Sequence, residues 1–132
     1  MLSYRHGFHA GNHADVIKHA IYHFVLNYMG QKDKPYAIVD THAGAGAYSL
    51  SSDFSQKNRE FDTGIGKLWN ADEANMPPLV REYVAAVKQF NHQDGFEDLT
   101  VYPGSPWFAL EALPLEGKAF FHELHPADFE LL

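Results

Sequence analysis

Four groups of residues in this chain have side chains and spacings suited to holding a nucleotide-like ligand. They are Lys18-His19, the run Asp40-Thr41-His42-Ala43-Gly44-Ala45-Gly46-Ala47-Tyr48, Gly104-Ser105, and Glu123. The glycine run follows a strand-like segment, Tyr36-Ala37-Ile38-Val39. Gly44 and Gly46 lack a Cβ, so they can take positive φ and admit a ligand to the backbone. A helix expected over residues 45 to 52 would then aim its free N–H groups at that ligand. Two other readings of the run are a plain strand-to-helix turn and a dinucleotide loop. The dinucleotide fingerprint G-x-G-x-x-G fits poorly, because Ser49 stands where its third glycine belongs. An acidic residue such as Glu123 suits a ribose diol, since a carboxylate accepts two hydroxyl hydrogen bonds at once. An anionic group on such a ligand wants cationic or N–H partners, which Lys18, His19 and the loop amides of Gly44 to Gly46 offer. Asp40 serves either as a ligand contact or as a pin for the loop.

Several elements must position these residues. From Asn12 to Gly30 the apolar residues Val16, Ile17, Ala20, Ile21, Phe24, Val25 and Tyr28 recur at three and four. This predicts an amphipathic helix with Asn12 as N-cap and Gly30 as C′. A polar stretch from Ser51 to Asp62 breaks the pattern. A second helical block holds Ile65, Leu68 and Trp69, and Pro77-Pro78 then opens a helix with the stripe Leu79, Val80, Tyr83, Val84, Val87 and Phe90. Leu99 to Tyr102 reads as a strand closed by Pro103-Gly104, with Ser105 as N-cap and Pro106 as N1 of a helix over 107 to 113. Lys118 to Leu124 is a third strand, and Pro126 to Glu130 opens a helix. Strands alternating with helices predict an α/β fold with a doubly wound parallel sheet. Ligands of such sheets sit at the carboxyl ends of the strands, where the glycine run, Gly104-Ser105 and Glu123 fall, while Lys18-His19 lies on the first helix. About eighty residues separate the glycine loop from Glu123, against about 20 in a plain dinucleotide unit, so residues 51–98 read as a helical insertion between 1–50 and 99–132.

The composition narrows the function. With 132 residues, 45% of them hydrophobic, the chain can bury one core. The absence of cysteine excludes disulfides and thiolate chemistry, and the absence of an apolar leader or span places the expectation in the cytoplasm with no membrane partner. The net charge of −7 argues against general coating of nucleic acid. Residues 1 to 35 nevertheless carry four Lys/Arg against two Asp/Glu, and five of the nine histidines, so a polyanion would meet the chain there. His6, His9 and His13, or His19 and His23, have spacings a metal could use. No H-E-x-x-H occurs, and no metal is expected.

The head Tyr4-Arg5-His6-Gly7-Phe8-His9-Ala10-Gly11-Asn12-His13-Ala14-Asp15-Val16-Ile17-Lys18-His19, taken with Asp40 to Gly46, Tyr102-Pro103-Gly104-Ser105-Pro106 and His122-Glu123-Leu124-His125-Pro126, closely resembles bacterial large-subunit ribosomal RNA adenine-N6 methyltransferases of the RlmJ type. The resemblance runs the length of the chain. It implies a class I S-adenosylmethionine-dependent fold, Rossmann-like, with an inserted helical subdomain and an N-terminal motif over the cofactor. It further implies that His19, His42, Ser105 and Glu123 contact S-adenosylmethionine with Lys18 beside them, Glu123 on the ribose, and that Tyr4, with His6 nearby, meets the ribosomal RNA.

Adenine-N6 methyltransferases carry an Asp/Asn-Pro-Pro-aromatic motif after a fourth strand, which accepts the N–H bonds of a poorly nucleophilic amine and aims it at the methyl group. The single Pro-Pro here, in Asn75-Met76-Pro77-Pro78-Leu79, has an intervening Met and no aromatic, and opens a helix. Leu132 precedes any fourth strand, so the chain is expected to be the N-terminal portion of the enzyme, with an incomplete sheet and no activity alone. The whole enzyme is expected to be monomeric, and the half-finished sheet edge to favour self-association of this portion. A non-catalytic nucleotide- or RNA-binding module and a metal-dependent hydrolase are the alternatives.

Overall fold

A computed structural model describes residues 4–132. Its first long element is helix α1, His13–Gly30, capped by Asn12, whose side chain accepts from the Asp15 amide at 3.0 Å. Gly30 is the last helical residue and Gln31 the C-cap, two positions beyond the expected end. The helix buries a different face from the one its periodicity marks. Ile17, Ile21, Phe24, Val25 and Tyr28 are exposed, while Asp15, His19, Ala20 and Leu26 are buried.

Strand β1, Ala37–Asp40, pairs in parallel with β4, Lys118–Phe121, in the register Ala37↔Lys118 to Asp40↔Phe121. The first and third expected strands thus form the expected parallel sheet. The second does not join it. Ala47–Ser49, expected within a helix, is instead strand β2, antiparallel to β3, Val101–Pro103. The cause is local. Gly44 and Gly46 both sit in the left-handed region, at φ +65 and +78, and turn the chain back before a helix can start. Tyr48 is then buried between exposed neighbours, as strand alternation requires.

Between β2 and β3 every element among the described residues is helical. The polar stretch after Ser51 contains the short helix α2, Asp53–Asn58, which periodicity does not signal. Local chemistry makes it: the Ser52 hydroxyl accepts from the Ser55 amide at 3.3 Å, and Arg59 ends it at φ 48. Helix α3, Ile65–Trp69, follows, and α4, Pro78–Gln93, opens at its proline as expected. Helix α5, Ser105–Ala112, takes Gly104 rather than Ser105 as N-cap, which leaves the Ser105 hydroxyl for another partner. Helix α6, Pro126–Phe129, closes the described chain.

The core lies where α1, α4, α5 and β3 meet, around Ala20, Tyr83, Val84, Val87, Tyr102 and Phe108. Asn91 ties α4 to β3 with its whole amide. Its nitrogen donates to the Val87 and Val101 carbonyls at 2.9 Å, and its oxygen accepts from the Thr100 and Val101 amides at 2.9 and 3.0 Å.

Among the contacts that hold the head against the helical block, one is backbone to backbone. Ile65 donates its amide to the Gly11 carbonyl at 2.9 Å, and a Cβ on Gly64 would fall on the Gly11 oxygen and the Asn12 backbone. Gly64→Ala is therefore expected to lower stability by about 3 kcal/mol, because backbone rather than a flexible side chain must yield. Gly30→Ala, with open space around it, should be neutral or stabilise by up to about 1 kcal/mol. Urea midpoints of the two variants that fail to separate in this order would refute the contact.

Candidate functional site

At the carboxyl ends of β1 and β4 the ladder continues into the loops: His122 donates its amide to the Asp40 carbonyl at 2.9 Å, and Ala43 to the His122 carbonyl at 3.0 Å. The glycine run is thereby held beside the end of β4. A cavity of about 360 Å³ opens there. Tyr4, His6, Lys18, His19, His42, Gly44, Ser105 and Glu123 all line it, so eight of the ten residues singled out in the sequence converge. A second cavity of about 480 Å³ shares Lys18, His19, His42 and Ser105 and adds Asp40 with apolar walls from Ile21, Tyr22 and Val25. Burial pushes the Tyr22 phenol up to about 12, helped by the charge of Asp40. Gly46 lines neither cavity; its carbonyl accepts from the Gly104 amide at 2.7 Å and so joins the loop to the start of α5.

Asp40 acts on the loop. One carboxylate oxygen accepts from the His42 amide at 3.0 Å and the other from the Ser105 hydroxyl at 2.5 Å. Of the two roles open to it in the sequence, the pin is the one this geometry supplies. Glu123 is engaged in the same way. Its Oε2 accepts from the Gly44 amide at 2.9 Å and its Oε1 from the His125 amide at 2.7 Å. Each oxygen retains a second lone pair, and Glu123 lines the cavity. Tyr48, the last residue of the run, supports the loop by accepting from the Ala45 amide at 3.1 Å. Its hydroxyl stands where a Cβ on Gly44 would go, so both the φ and the space at Gly44 demand glycine.

The head forms a second hydrogen-bonded group. The Tyr4 hydroxyl meets His6 Nδ1 at 2.8 Å, and His6 Nε2 meets Asp15 Oδ2 at 2.8 Å. Asp15 Oδ2 also accepts from the Gly11 amide at 2.9 Å, and Oδ1 pairs with Lys18 Nζ at 3.0 Å. Burial works to raise the Asp15 pKa, yet the His6 hydrogen bond and the nearby positive charges outweigh it and hold the carboxyl well below its ordinary range. Asp15 is thus the hub of the head, and it was not singled out in the sequence. The available signal was a carboxylate three residues after an N-cap and three before Lys18, in a segment rich in histidine. Tyr4 stays exposed, its ring stacked on His9 at 5.5 Å and 12°.

His19 differs from the cationic partner the sequence allowed. Burial presses its pKa down to about 3, against a smaller upward pull from Asp15, so the imidazole is neutral. Its Nδ1 lies 2.9 Å from the Tyr102 hydroxyl, and its Nε2 is buried with no partner. The positive charge at this site therefore comes from Lys18, partly offset by Asp15. Among the described residues no group of three or more His, Cys, Asp or Glu is placed to hold a metal, and no helix is long and apolar enough to cross a membrane.

Comparison with known proteins adds a family to this geometry. The family described as ribosomal RNA large subunit methyltransferase D, RlmJ, matches residues 33–132. Ribosomal RNA large subunit methyltransferase J of Haemophilus influenzae is 44% identical over all 132 residues, and that of Escherichia coli 43% identical over the same span. The chain covers 46% and 45% of these proteins, so it spans about half the length of the curated relatives it matches. A crystal structure of a Legionella pneumophila protein superposes with a TM-score of 0.80 at 39% identity, covering 93% of this chain and 43% of that one. An α/β chain with a two-stranded parallel sheet, a glycine loop at its carboxyl edge and a match over three-quarters of its length belongs to the ribosomal RNA large subunit methyltransferase J family.

Proposed function

We propose that this chain forms the cofactor seat of a class I, Rossmann-like methyltransferase that transfers a methyl group from S-adenosylmethionine to the N6 amine of an adenine in large-subunit ribosomal RNA. The observation that carries the reading is the buried, unpartnered Nε2 of His19, which shares one cavity with the Gly44 loop, Lys18 and Glu123. A donor left unpaired in the interior is costly, so the site is built to receive an acceptor. The methionine carboxylate of the cofactor supplies one. Lys18 adds charge to that end, His42 and Ser105 flank it, and the free lone pairs of Glu123 accept from the ribose hydroxyls. Gly44, where only glycine fits, puts the loop backbone on the cavity wall.

The cofactor supplies an electrophilic methyl group on a sulfonium. What the protein contributes is position. Tyr4, exposed and backed by His9 and His6, offers a ring on which an unstacked base of ribosomal RNA can lie. The groups that accept the amine's N–H bonds belong, in this reading, to the part of the relatives this chain does not span. The same part covers the exposed α1 face and the exposed Val39 and Phe120 of the sheet. Residues 1–50 and 99–132 form the methyltransferase domain and 51–98 its helical insertion. The whole protein works as a cytoplasmic monomer without metal, while the present portion alone is inactive and self-associates through that uncovered face.

Titration calorimetry with S-adenosylhomocysteine tests the reading. Binding is expected, and His42→Ala should weaken it about tenfold, the loss of one hydrogen bond to a charged group. Retained ribosomal RNA binding with no binding of S-adenosylhomocysteine would instead favour a non-catalytic RNA-binding module.

A further inference from the structure

A buried hydroxyl chain leads away from the cofactor seat. Tyr83, on α4, lies with its hydroxyl 2.8 Å from that of Tyr102, on β3, and Tyr102 lies 2.9 Å from His19 Nδ1. All three side chains are inaccessible to solvent. The protons on this chain can be counted. A neutral imidazole carries one N–H, and each tyrosine one O–H.

If His19 held its proton on Nδ1, it would donate to Tyr102 and Tyr102 would donate to Tyr83. The Tyr83 proton would then point into the core with no acceptor, and His19 Nε2 would be a second unsatisfied group. In the opposite sense Tyr83 donates to Tyr102 and Tyr102 donates to His19 Nδ1. Every interior proton is then used, and the only open donor is the Nε2–H of His19, a residue of the cavity wall. Leaving a buried polar group unpaired is the larger penalty, so the second arrangement prevails. Burial keeps both phenols protonated by pushing their pKa values upward, and keeps the imidazole neutral.

We infer that Tyr102 and Tyr83 are positioning residues that fix His19 as the Nε2–H tautomer, making it a neutral, oriented donor for the cofactor carboxylate. The inference rests on the cofactor reading for what His19 holds, but not for its tautomer. It also gives the helical segment 51–98 a role at the cofactor seat, since α4 supplies the first donor of the chain.

Nitrogen-15 NMR of histidine-labelled protein reads the tautomer directly, and S-adenosylhomocysteine calorimetry reads its use. Wild-type His19 is expected to show a protonated Nε2 and a bare Nδ1. Tyr102→Phe should convert it to a mixture of tautomers and weaken binding about tenfold, one hydrogen bond's worth. Tyr83→Phe, which leaves Tyr102 able to donate, should keep the tautomer and weaken binding by a smaller factor. A protonated Nδ1 in the wild-type protein overturns the inference even if neither variant folds. So does a Tyr102→Phe protein with unchanged tautomer and unchanged binding. An Nε2–H tautomer that shifts in Tyr102→Phe, in a protein that binds no S-adenosylhomocysteine, upholds the hydroxyl chain and counts against the cofactor reading alone.

Discussion

Asp15→Ala should lower the unfolding free energy by about 3 kcal/mol at neutral pH, the sum of one stranded buried amide and a charge-assisted bond. The carboxylate is buried, and its removal leaves the Gly11 N–H, His6 Nε2 and Lys18 without their acceptor. Asp15→Asn keeps the volume and one acceptor, so it should fall between the two. The effect has a pH signature. The folded pKa of Asp15 lies below its ordinary value near 3.8, so its stabilisation is complete above that value and is lost as pH falls through and below it. Urea midpoints should therefore show a wide gap between wild type and Asp15→Ala at pH 7 that narrows on acidification below about pH 4. A gap under about 0.5 kcal/mol at pH 7, the ordinary scale of surface changes, would show that the hub holds nothing.

The second large effect falls on ligand binding. Glu123→Ala should weaken S-adenosylhomocysteine about hundredfold, because it removes the loop's anchor together with the proposed ribose acceptors. Glu123→Gln should be nearly as damaging. Its amide has one acceptor where the carboxylate has two, so its NH₂ would face either the Gly44 or the His125 N–H. Glu123→Asp retains two acceptors on a shorter stem and should lose less. Calorimetry on the three variants gives the order Asp, Gln, Ala from weakest to strongest effect. A Gln variant binding like wild type would mean that Glu123 neither holds the loop nor needs both oxygens.

The sequence made the ends of the story legible and the middle less so. Strands β1 and β4, the proline that opens α4 and the convergence of His42, Ser105 and Glu123 follow from periodicity, punctuation and the rule that ligands sit at carboxyl strand ends, while Lys18 and His19 join them through the resemblance of the head motif. Strands β2 and β3 were not legible as a pair. β3 reads as a strand, but β2 has three residues, too few for alternation to outweigh a helix reading, and the pair exists because two left-handed glycines reverse the chain. The apolar stripe of α1 was visible, but its burial was not. Periodicity marks a face without saying which partner covers it, and here the covered face carries His19 and Asp15. The parts of Asp15, Tyr83 and Tyr102 were hidden for a related reason. A buried polar group is recognised by its long-range partners, and Tyr102 meets His19 across more than eighty positions of sequence.

The parallel pairing of β1 with β4 also sets an order of events. Ala37 must wait for Lys118, some eighty residues later, before its ladder can close, and the Gly44 amide waits for Glu123. Local helices such as α1 and α4 can form within microseconds, whereas a contact of this span must first meet the entropy of closing a long loop. During synthesis the glycine loop emerges early with its local ties to Asp40 and Tyr48, but its Glu123 anchor is missing until residue 123 leaves the ribosome. The proposed cofactor seat is therefore among the last features to assemble, and an elongating chain carries it unformed past most of the helices that will later surround it.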